Sequence, residues 1–262
     1  MPGSPPIVLK PKTRDVPIPV SLFGDAMRLM KEPSDLDAIP GLVLGFAQAN
    51  RRIREEQAAK MARLINLHGR FDLIMAIARG AGENGFKFNR ETAREFMRGV
   101  RIQNLLPDRE NALKSLKHAE QLLNCLGEPT MKVDPDARLK RDPVVVGTVL
   151  AMFASACARF HEGKDYGKKG GLPDGTDGYT RHYTQRLKNV WEFVEWEQNL
   201  VQGDRASLYR AKYAVLDYIP VLEGLFTARE ILQGSDLSPW IEAESAKLNN
   251  AIAGWRKFIA EK

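Results

Sequence analysis

The chain has 262 residues, of which 44% are hydrophobic and 27% are charged. This balance is ordinary for a globular protein, and the length suffices for one large domain or two smaller ones. Lysine and arginine (39) outnumber aspartate and glutamate (33), which gives a formal net charge of +6. This excess is compatible with RNA or an anionic surface as partner, but it does not require either.

Enzymes, metal proteins and membrane proteins are disfavoured by what the sequence lacks. Cys125 and Cys157 each lie in an apolar helical pattern and the four histidines are scattered, so neither a metal site nor catalytic metal is expected. No nucleophile elbow or Walker loop is present, and no cofactor is expected. No apolar run approaches the roughly twenty residues of a transmembrane helix, so membrane insertion is not expected.

The chain begins with a proline-rich stretch and continues as a series of helices. Residues 1–20 predict an extended N-terminal arm, because proline prevents a helix there. A short amphipathic helix, SLFGDAMRLMK, is expected to stop at Pro33. From Pro40 onward apolar residues recur at helical spacing, with almost no β-alternation. The expected helices lie near 41–68, 70–84, 90–103, 109–126, 143–161, 179–202, 205–233 and 239–260.

Capping residues and glycines mark the ends of these helices. Asn89 and Asp142 are expected N-caps, and Asp142 is followed by a proline at the first helical position. Gly69 and Gly85, sixteen residues apart, are expected to end two successive helices. Pro220 predicts a kink or a break in the long helix that contains it.

Two long interruptions suggest how the chain is divided. Residues 128–142 predict a linker, and the glycine-rich stretch 163–178 predicts a mobile connection. The sequence therefore predicts the arm (1–20), an N-terminal helical repeat region (21–127), the linker, and a C-terminal helical region (143–262).

The stretch from Glu56 to Arg101 resembles a pentatricopeptide repeat, the helical-hairpin unit of organellar RNA-binding proteins and a relative of the tetratricopeptide repeat. The resemblance covers about one and a half units, and Asn104 stands where the second unit would have its turn glycine. It implies an all-α fold of stacked antiparallel helical hairpins, an irregular α-solenoid of that type. The matching positions are Met61, Ala62, Gly69, Ile74, Ile77, Gly85, Thr92, Phe96 and Met97.

Members of that family read RNA bases with side chains on the first helix and at the end of each unit. The corresponding positions here hold Lys60, Arg90 and Glu95, where the family usually has Asn, Ser, Thr or Asp. Lysine and arginine suit phosphate contact better than selection of a base. The resemblance therefore implies contact with RNA backbone more than reading of RNA sequence.

A row of arginines, the arginine stripe, is the sharpest surface feature. Arg90, Arg94, Arg98 and Arg101 are spaced by four, four and three residues, which places them on one helix face. Guanidinium groups bind phosphate bidentately. The alternative is a solvated face on which Glu91 and Glu95 pair with the arginines. The candidate RNA- or anion-binding residues are Lys60, Lys87, Arg90, Arg94, Arg98 and Arg101.

These observations predict a non-enzymatic helical-repeat adaptor. The resemblance implies a role in mitochondrial RNA metabolism or translation, in which the chain contacts RNA backbone and partner proteins. The mitochondrial location rests on the resemblance alone, since no presequence is evident. The alternative is a protein-interaction scaffold, or an accessory subunit of a larger mitochondrial assembly such as a ribosome or respiratory complex, with no direct RNA role. A helical enzyme whose site forms only in space is a third alternative.

Overall fold

A computed structural model describes residues 21–83, 85–167, 178–191 and 205–262. Within these ranges the chain forms ten α-helices and three short 3-10 helices, and it contains no β-strand. The prediction of an all-α fold is therefore confirmed. The arm predicted for residues 1–20 and most of the predicted glycine-rich connection lie outside the described residues.

Six helices precede the predicted linker and four follow it. The first six are α1 (Ser21–Leu29), α2 (Ile39–Gln48), α3 (Glu55–Leu67), α4 (Phe71–Arg79), α5 (Arg90–Asn104) and α6 (Arg109–Cys125). The others are α7 (Pro143–Phe160), α8 (Tyr179–Trp191), α9 (Arg205–Ile231) and α10 (Ser238–Ala260). The 3-10 helices are Pro33–Ala38, Pro129–Met131 and Leu139–Arg141.

Three predicted helices differ from the structure. The helix expected near 41–68 is two helices, because Asn50 adopts a left-handed φ of 52° and the chain leaves the helical path there. The helix expected near 70–84 ends at Arg79, so Gly85 does not terminate it. Pro220 does not split α9, which continues to Ile231. Tertiary packing along α9 outweighs the backbone hydrogen bond that proline removes.

The helices pack mainly against the next helix in the chain or the next but one. α5 contacts α3, α4, α6 and α7, while α7 contacts α6, α8 and α9, and α10 packs along α9. Such contacts are those of consecutive helical hairpins. The solenoid that the repeat resemblance implied is not confirmed by them.

Two glycines allow α7 and α9 to pack closely. A Cβ atom on Gly147 would lie 2.5 Å from Cγ1 of Val221, and one on Gly224 would lie 2.8 Å from the backbone nitrogen of Ala151. Neither position has room for a side chain. The spacing of α7 and α9, and with it the position of every residue that they present to α5, therefore depends on these glycines.

Helix α7 is a long, apolar core helix. With 18 residues and a mean hydropathy of 1.7, it is long and apolar enough to cross a membrane. The expectation that no apolar run approaches this length was therefore wrong. However, 72% of the helix is buried inside the fold, and the core helix of a soluble protein has the same length and composition.

One hydrophobic cluster extends through the described part of the chain. It includes Phe23 in α1 and Trp255 in α10, and it also includes Leu139 in the segment predicted as a linker. That segment thus contributes to the core. The division of the chain into two helical regions at 128–142 stays a prediction.

Candidate functional site

The arginine stripe lies on α5, and a capping interaction fixes the start of that helix. Oδ1 of Asn89 accepts a hydrogen bond from the backbone N–H of Thr92 at 2.8 Å, and Oγ1 of Thr92 accepts one from the backbone N–H of Asn89 at 2.9 Å. Nδ2 of Asn89 donates to Glu55 on α3 at 2.7 Å. The cap was predicted, and it sets the direction in which the arginines project.

Arg94 lies between two carboxylates from other helices. Its Nε and Nη2 atoms donate to Asp142 at 3.0 and 2.8 Å, and its Nη1 atom donates to Asp217 on α9 at 2.8 Å. Asp142 is also the N-cap of α7, where it accepts hydrogen bonds from the N–H groups of Val144 and Val145. Arg94 therefore connects α5 to both α7 and α9.

Arg98 extends this arrangement. It donates to Asp217 at 2.6 Å and to Glu95 at 2.7 Å. Glu95 is only 3% exposed, and it also accepts a hydrogen bond from Arg63 of α3 at 3.2 Å. The guanidinium of Arg63 lies 5.3 Å from the ring centroid of Tyr213. We call the six charged residues the arginine–carboxylate network: Arg63, Arg94, Glu95, Arg98, Asp142 and Asp217.

Electrostatics keeps Arg94 charged in this setting. Burial opposes the positive charge, but Asp142 and Asp217 more than offset that effect and raise the pKa of Arg94. Burial also raises the pKa of Asp217, although Arg94 and Arg98 oppose the rise. The ionised form of Asp217 thus depends on the two arginines beside it.

The other candidate residues have different surroundings. Arg101 pairs with Glu223 on α9. Arg90 is 75% exposed, with its Nε atom 3.5 Å from Asp142. Lys60 on α3 and Lys87 ahead of α5 are exposed, and within the described ranges neither forms an ion pair. RNA binding by the six candidates stays a prediction.

The ion-pair partners expected for the arginine stripe, Glu91 and Glu95, are only partly confirmed. Glu95 does pair with Arg98, but Glu91 pairs with Arg63. The carboxylates that hold Arg94 lie 48 and 123 residues away in the sequence, at Asp142 and Asp217. Asp142 was recognised only as a cap, and no sequence signal identified Asp217.

A cleft opens beside the start of α5. Its volume is about 1230 Å³, and we call it the basic cleft. A β-bridge between Phe88 and Lys132 lies at the cleft, with Val133 donating to the carbonyl of Phe88 at 2.9 Å. Of its cations, only Arg90 was among the sequence candidates. The basic lining residues are Arg90, Lys132, Arg138, Lys140, Arg141 and Arg186; the acidic ones are Glu55, Asp134, Asp136 and Asp142.

Within the described part of the chain, metal-binding side chains are not brought together, and the buried Cys157 is not activated. No group of three or more His, Cys, Asp or Glu side chains there could hold a metal ion. Burial raises the pKa of the Cys157 thiol to about 12. A thiol with so high a pKa stays protonated at neutral pH and is a poor nucleophile.

Comparison with protein families corrects the repeat resemblance. The family model that matches is described as mitochondrial ribosomal protein mS27, and it covers residues 7–262. No curated protein matches the chain. The identification as a pentatricopeptide-repeat-like protein was therefore wrong. Its sixteen-residue glycine interval does not frame a helical hairpin, since Gly85 lies beyond the end of α4 at Arg79.

The same match confirms several predictions. A mitochondrial location and the absence of enzymatic activity agree with a structural ribosomal subunit. A role in mitochondrial translation also agrees with the family match. The match supports the alternative of an accessory subunit in a larger assembly better than it supports a free RNA adaptor. The chain belongs to the mitochondrial ribosomal protein mS27 family.

Proposed function

We propose that this subunit contacts RNA backbone in the mitochondrial ribosome through the cations at and beside the start of α5. The observation that supports this is the exposure of Arg90, at 75%, compared with 20% and 21% for Arg94 and Arg98. Lys60 and Lys87 are exposed as well. Exposed cations without strong partners are free to neutralise phosphates and release counterions.

The arginine–carboxylate network has a supporting part in this proposal. It joins α3, α5, α7 and α9, so it holds the start of α5 in a fixed orientation. Arg94, Arg98 and Arg101 remain candidates for RNA contact, but they rank below the exposed cations. Each already donates to a carboxylate of this chain, and a phosphate would have to replace that partner.

A second candidate function is contact with a neighbouring protein. At the end of α5, the side chains of Ile102, Leu105 and Leu106 are 36%, 50% and 40% exposed. Arg159 donates to the carbonyls of Asn104 and Leu106 at 2.8 and 2.7 Å, which holds this segment against α7. A fixed, exposed apolar segment is typical of a protein-binding surface.

The two functions can be separated with paired variants. If the exposed cations bind RNA, K60E/K87E weakens binding of mitochondrial ribosomal RNA, and the affinity of the wild-type protein falls steeply with salt. K114E/K117E is the matched control, since Lys114 and Lys117 are exposed on α6 and undergo the same charge change. Equal affinities of the two variants would contradict the RNA proposal. L105S/L106S should reduce incorporation into ribosomes and leave RNA affinity unchanged if the apolar segment binds protein.

A further inference from the structure

Cations enter the basic cleft from two separate parts of the chain. Arg138, Lys140 and Arg141 come from the segment between α6 and α7, and Arg186 comes from α8. Segment and helix are held together, because Nη2 of Arg186 donates to the backbone carbonyl of Lys140 at 2.8 Å. The cleft is thus a fixed feature of the fold in which cations on two elements face a common space.

Arg186 has no carboxylate partner within the described ranges. Burial lowers its pKa, and Arg141 adds to this effect while Tyr183 opposes it. Among the described residues, its guanidinium donates to the backbone carbonyl of Lys140 and lies 5.9 Å from the ring centroid of Tyr183. A half-buried guanidinium that is positioned by a neutral acceptor and lies near a second cation favours an anion from outside the chain.

One acid of the cleft is paired with a cation from outside it, because Asp142 binds Arg94 and caps α7. Glu55 accepts a hydrogen bond from the neutral Asn89 and keeps its charge, as do the exposed Asp134 and Asp136. Arg138 and Arg141, by contrast, are exposed, and in the described part of the chain their side chains form no ion pair. The free charge in the cleft is therefore more positive than a count of its residues indicates.

A second cavity extends the cationic surface. It has a volume of about 380 Å³, is lined by Arg51, Arg52 and Lys87, and shares Val133 with the basic cleft. The cations therefore continue past the bridge between Phe88 and Lys132 to the loop ahead of α3. An elongated series of cations fits a polymer with regularly spaced phosphates better than a single small anion.

The lining also distinguishes RNA from an acidic protein. The large apolar residues of the cleft, Phe88, Leu126, Leu139 and Val190, are buried, with exposures of 0%, 1%, 4% and 7%. Its other apolar residues, Val133, Ala137 and Pro143, are half-buried. A protein interface needs accessible large apolar or aromatic anchors, and the large side chains of the cleft are not accessible. Contact with RNA backbone does not need such anchors, since cations that neutralise phosphates supply most of the affinity.

We propose that the basic cleft is a second RNA-backbone site, in which Arg138, Arg141 and Arg186 bind phosphate groups. This inference rests on the proposed function of the chain as an RNA-contacting subunit, but it concerns residues that the stripe does not include. RNA would then lie at the start of α5, where Arg90 belongs both to the stripe and to the lining of the cleft, and would continue to Arg138, Arg141 and Arg186.

The test compares three double charge reversals in the full chain, with fluorescence anisotropy of a labelled oligouridylate as the readout. R138E/R141E addresses the cleft, K60E/K87E addresses the exposed lysines of the proposed function, and K114E/K117E is the control of equal charge change. We expect R138E/R141E to weaken binding about ten-fold or more at about 0.1 M salt and to reduce the salt dependence of affinity, whereas the control changes little. R138Q/R141Q should show an intermediate loss.

Each outcome bears on one proposal or on both. If R138E/R141E binds like the control while K60E/K87E is weakened, the cleft inference is overturned and the proposed function stands. If both bind like the control, both are overturned. Tighter binding of polyglutamate than of oligouridylate would overturn RNA as the ligand in favour of an acidic protein. Thermal unfolding checks that the variants fold. If the charge-reversal variants do not fold, the RNA affinity of R138Q/R141Q decides whether the cleft binds RNA.

Discussion

Two groups of arginines in this chain have opposite surroundings. Arg94 and Arg98 are about one-fifth exposed, and each donates to two carboxylates of the chain. Arg138 and Arg141 are exposed, and in the described ranges neither has such a partner. The residue type is the same in both groups. What differs is whether carboxylates from distant parts of the sequence fold onto the guanidinium groups.

From this difference we infer a stabilising role for the first group and propose a binding role for the second. In the arginine–carboxylate network, charges removed from water must stay paired, since an unpaired buried charge is strongly unfavourable. In the basic cleft, solvent screens the unpaired cations until a bound anion displaces that solvent. Substitutions in the network are therefore expected to change the stability of the fold, and substitutions in the cleft to change binding.

The largest expected effect is that of Asp217→Ala. It removes the carboxylate that Arg94 and Arg98 share, and it leaves both guanidiniums short of a partner. We expect the free energy of unfolding, measured with urea, to fall by about 3–5 kcal/mol. Asp236→Ala is the control, because Asp236 is 66% exposed in its ion pair with Arg181. Loss of this exposed pair should lower the free energy of unfolding by less than about 1 kcal/mol. Equal losses of unfolding free energy in the two variants would contradict the claim that the arginine–carboxylate network stabilises the fold more than an exposed ion pair does.

A second prediction tests the helix spacing on which the network depends. Gly224→Ala would place a methyl group 2.8 Å from the backbone nitrogen of Ala151, so α9 must move away from α7. The expected loss of unfolding free energy is about 1–3 kcal/mol. Gly254→Ala in α10, where a Cβ meets nothing within 4 Å, should instead stabilise the protein by up to about 1 kcal/mol. If Gly224→Ala left the free energy of unfolding unchanged, the two helices would tolerate a wider spacing.

The cap of α5 provides a smaller effect. Asn89→Ala removes the acceptor for the backbone N–H of Thr92 and the donor to Glu55. The unfolding free energy should fall by about 1 kcal/mol. Asn250→Ala, an exposed position inside α10, serves as the control. If both substitutions have the same effect, the cap does not stabilise the start of the stripe.

The smallest effect is a pH dependence that involves neither the arginine stripe nor the basic cleft. Burial holds the pKa of His118 below its usual value, and Arg79 and Lys114 lower it further. The unfolded chain therefore binds this proton first as the pH falls through about 6.5, and stability decreases there. His118→Gln should reduce the slope of unfolding free energy against pH in urea titrations. An unchanged slope would assign the pH dependence to other groups.

Much of the fold could be predicted because its signals are local. Helix caps act on neighbouring residues, as at Asn89, Asp142 and Gly69. The helix starts and ends that they mark can therefore be predicted from a short window of sequence. The break at Asn50 could not, because the apolar pattern runs through it. The end of α4 was missed because Gly85 was taken as its terminus.

The site was less predictable because its decisive contacts are not local. The spacing of Arg94 and Arg98 correctly places them on one face, but no pattern shows that Asp142 and Asp217 will meet them. The cations at Arg138 and Arg141 were visible in the sequence. They were assigned to a linker, since only the fold brings that segment to Arg186 and to the start of α5.

RNA crosslinking in intact mitochondrial ribosomes, read by mass spectrometry of the crosslinked peptides, tests the division between the two groups most directly. We expect crosslinks at Lys87, Arg90, Arg138 and Arg141, and few or none at Arg94 and Arg98, whose guanidiniums bind Asp142, Glu95 and Asp217. Crosslinks concentrated at Arg94 and Arg98, with none at Arg138 or Arg141, would contradict this division.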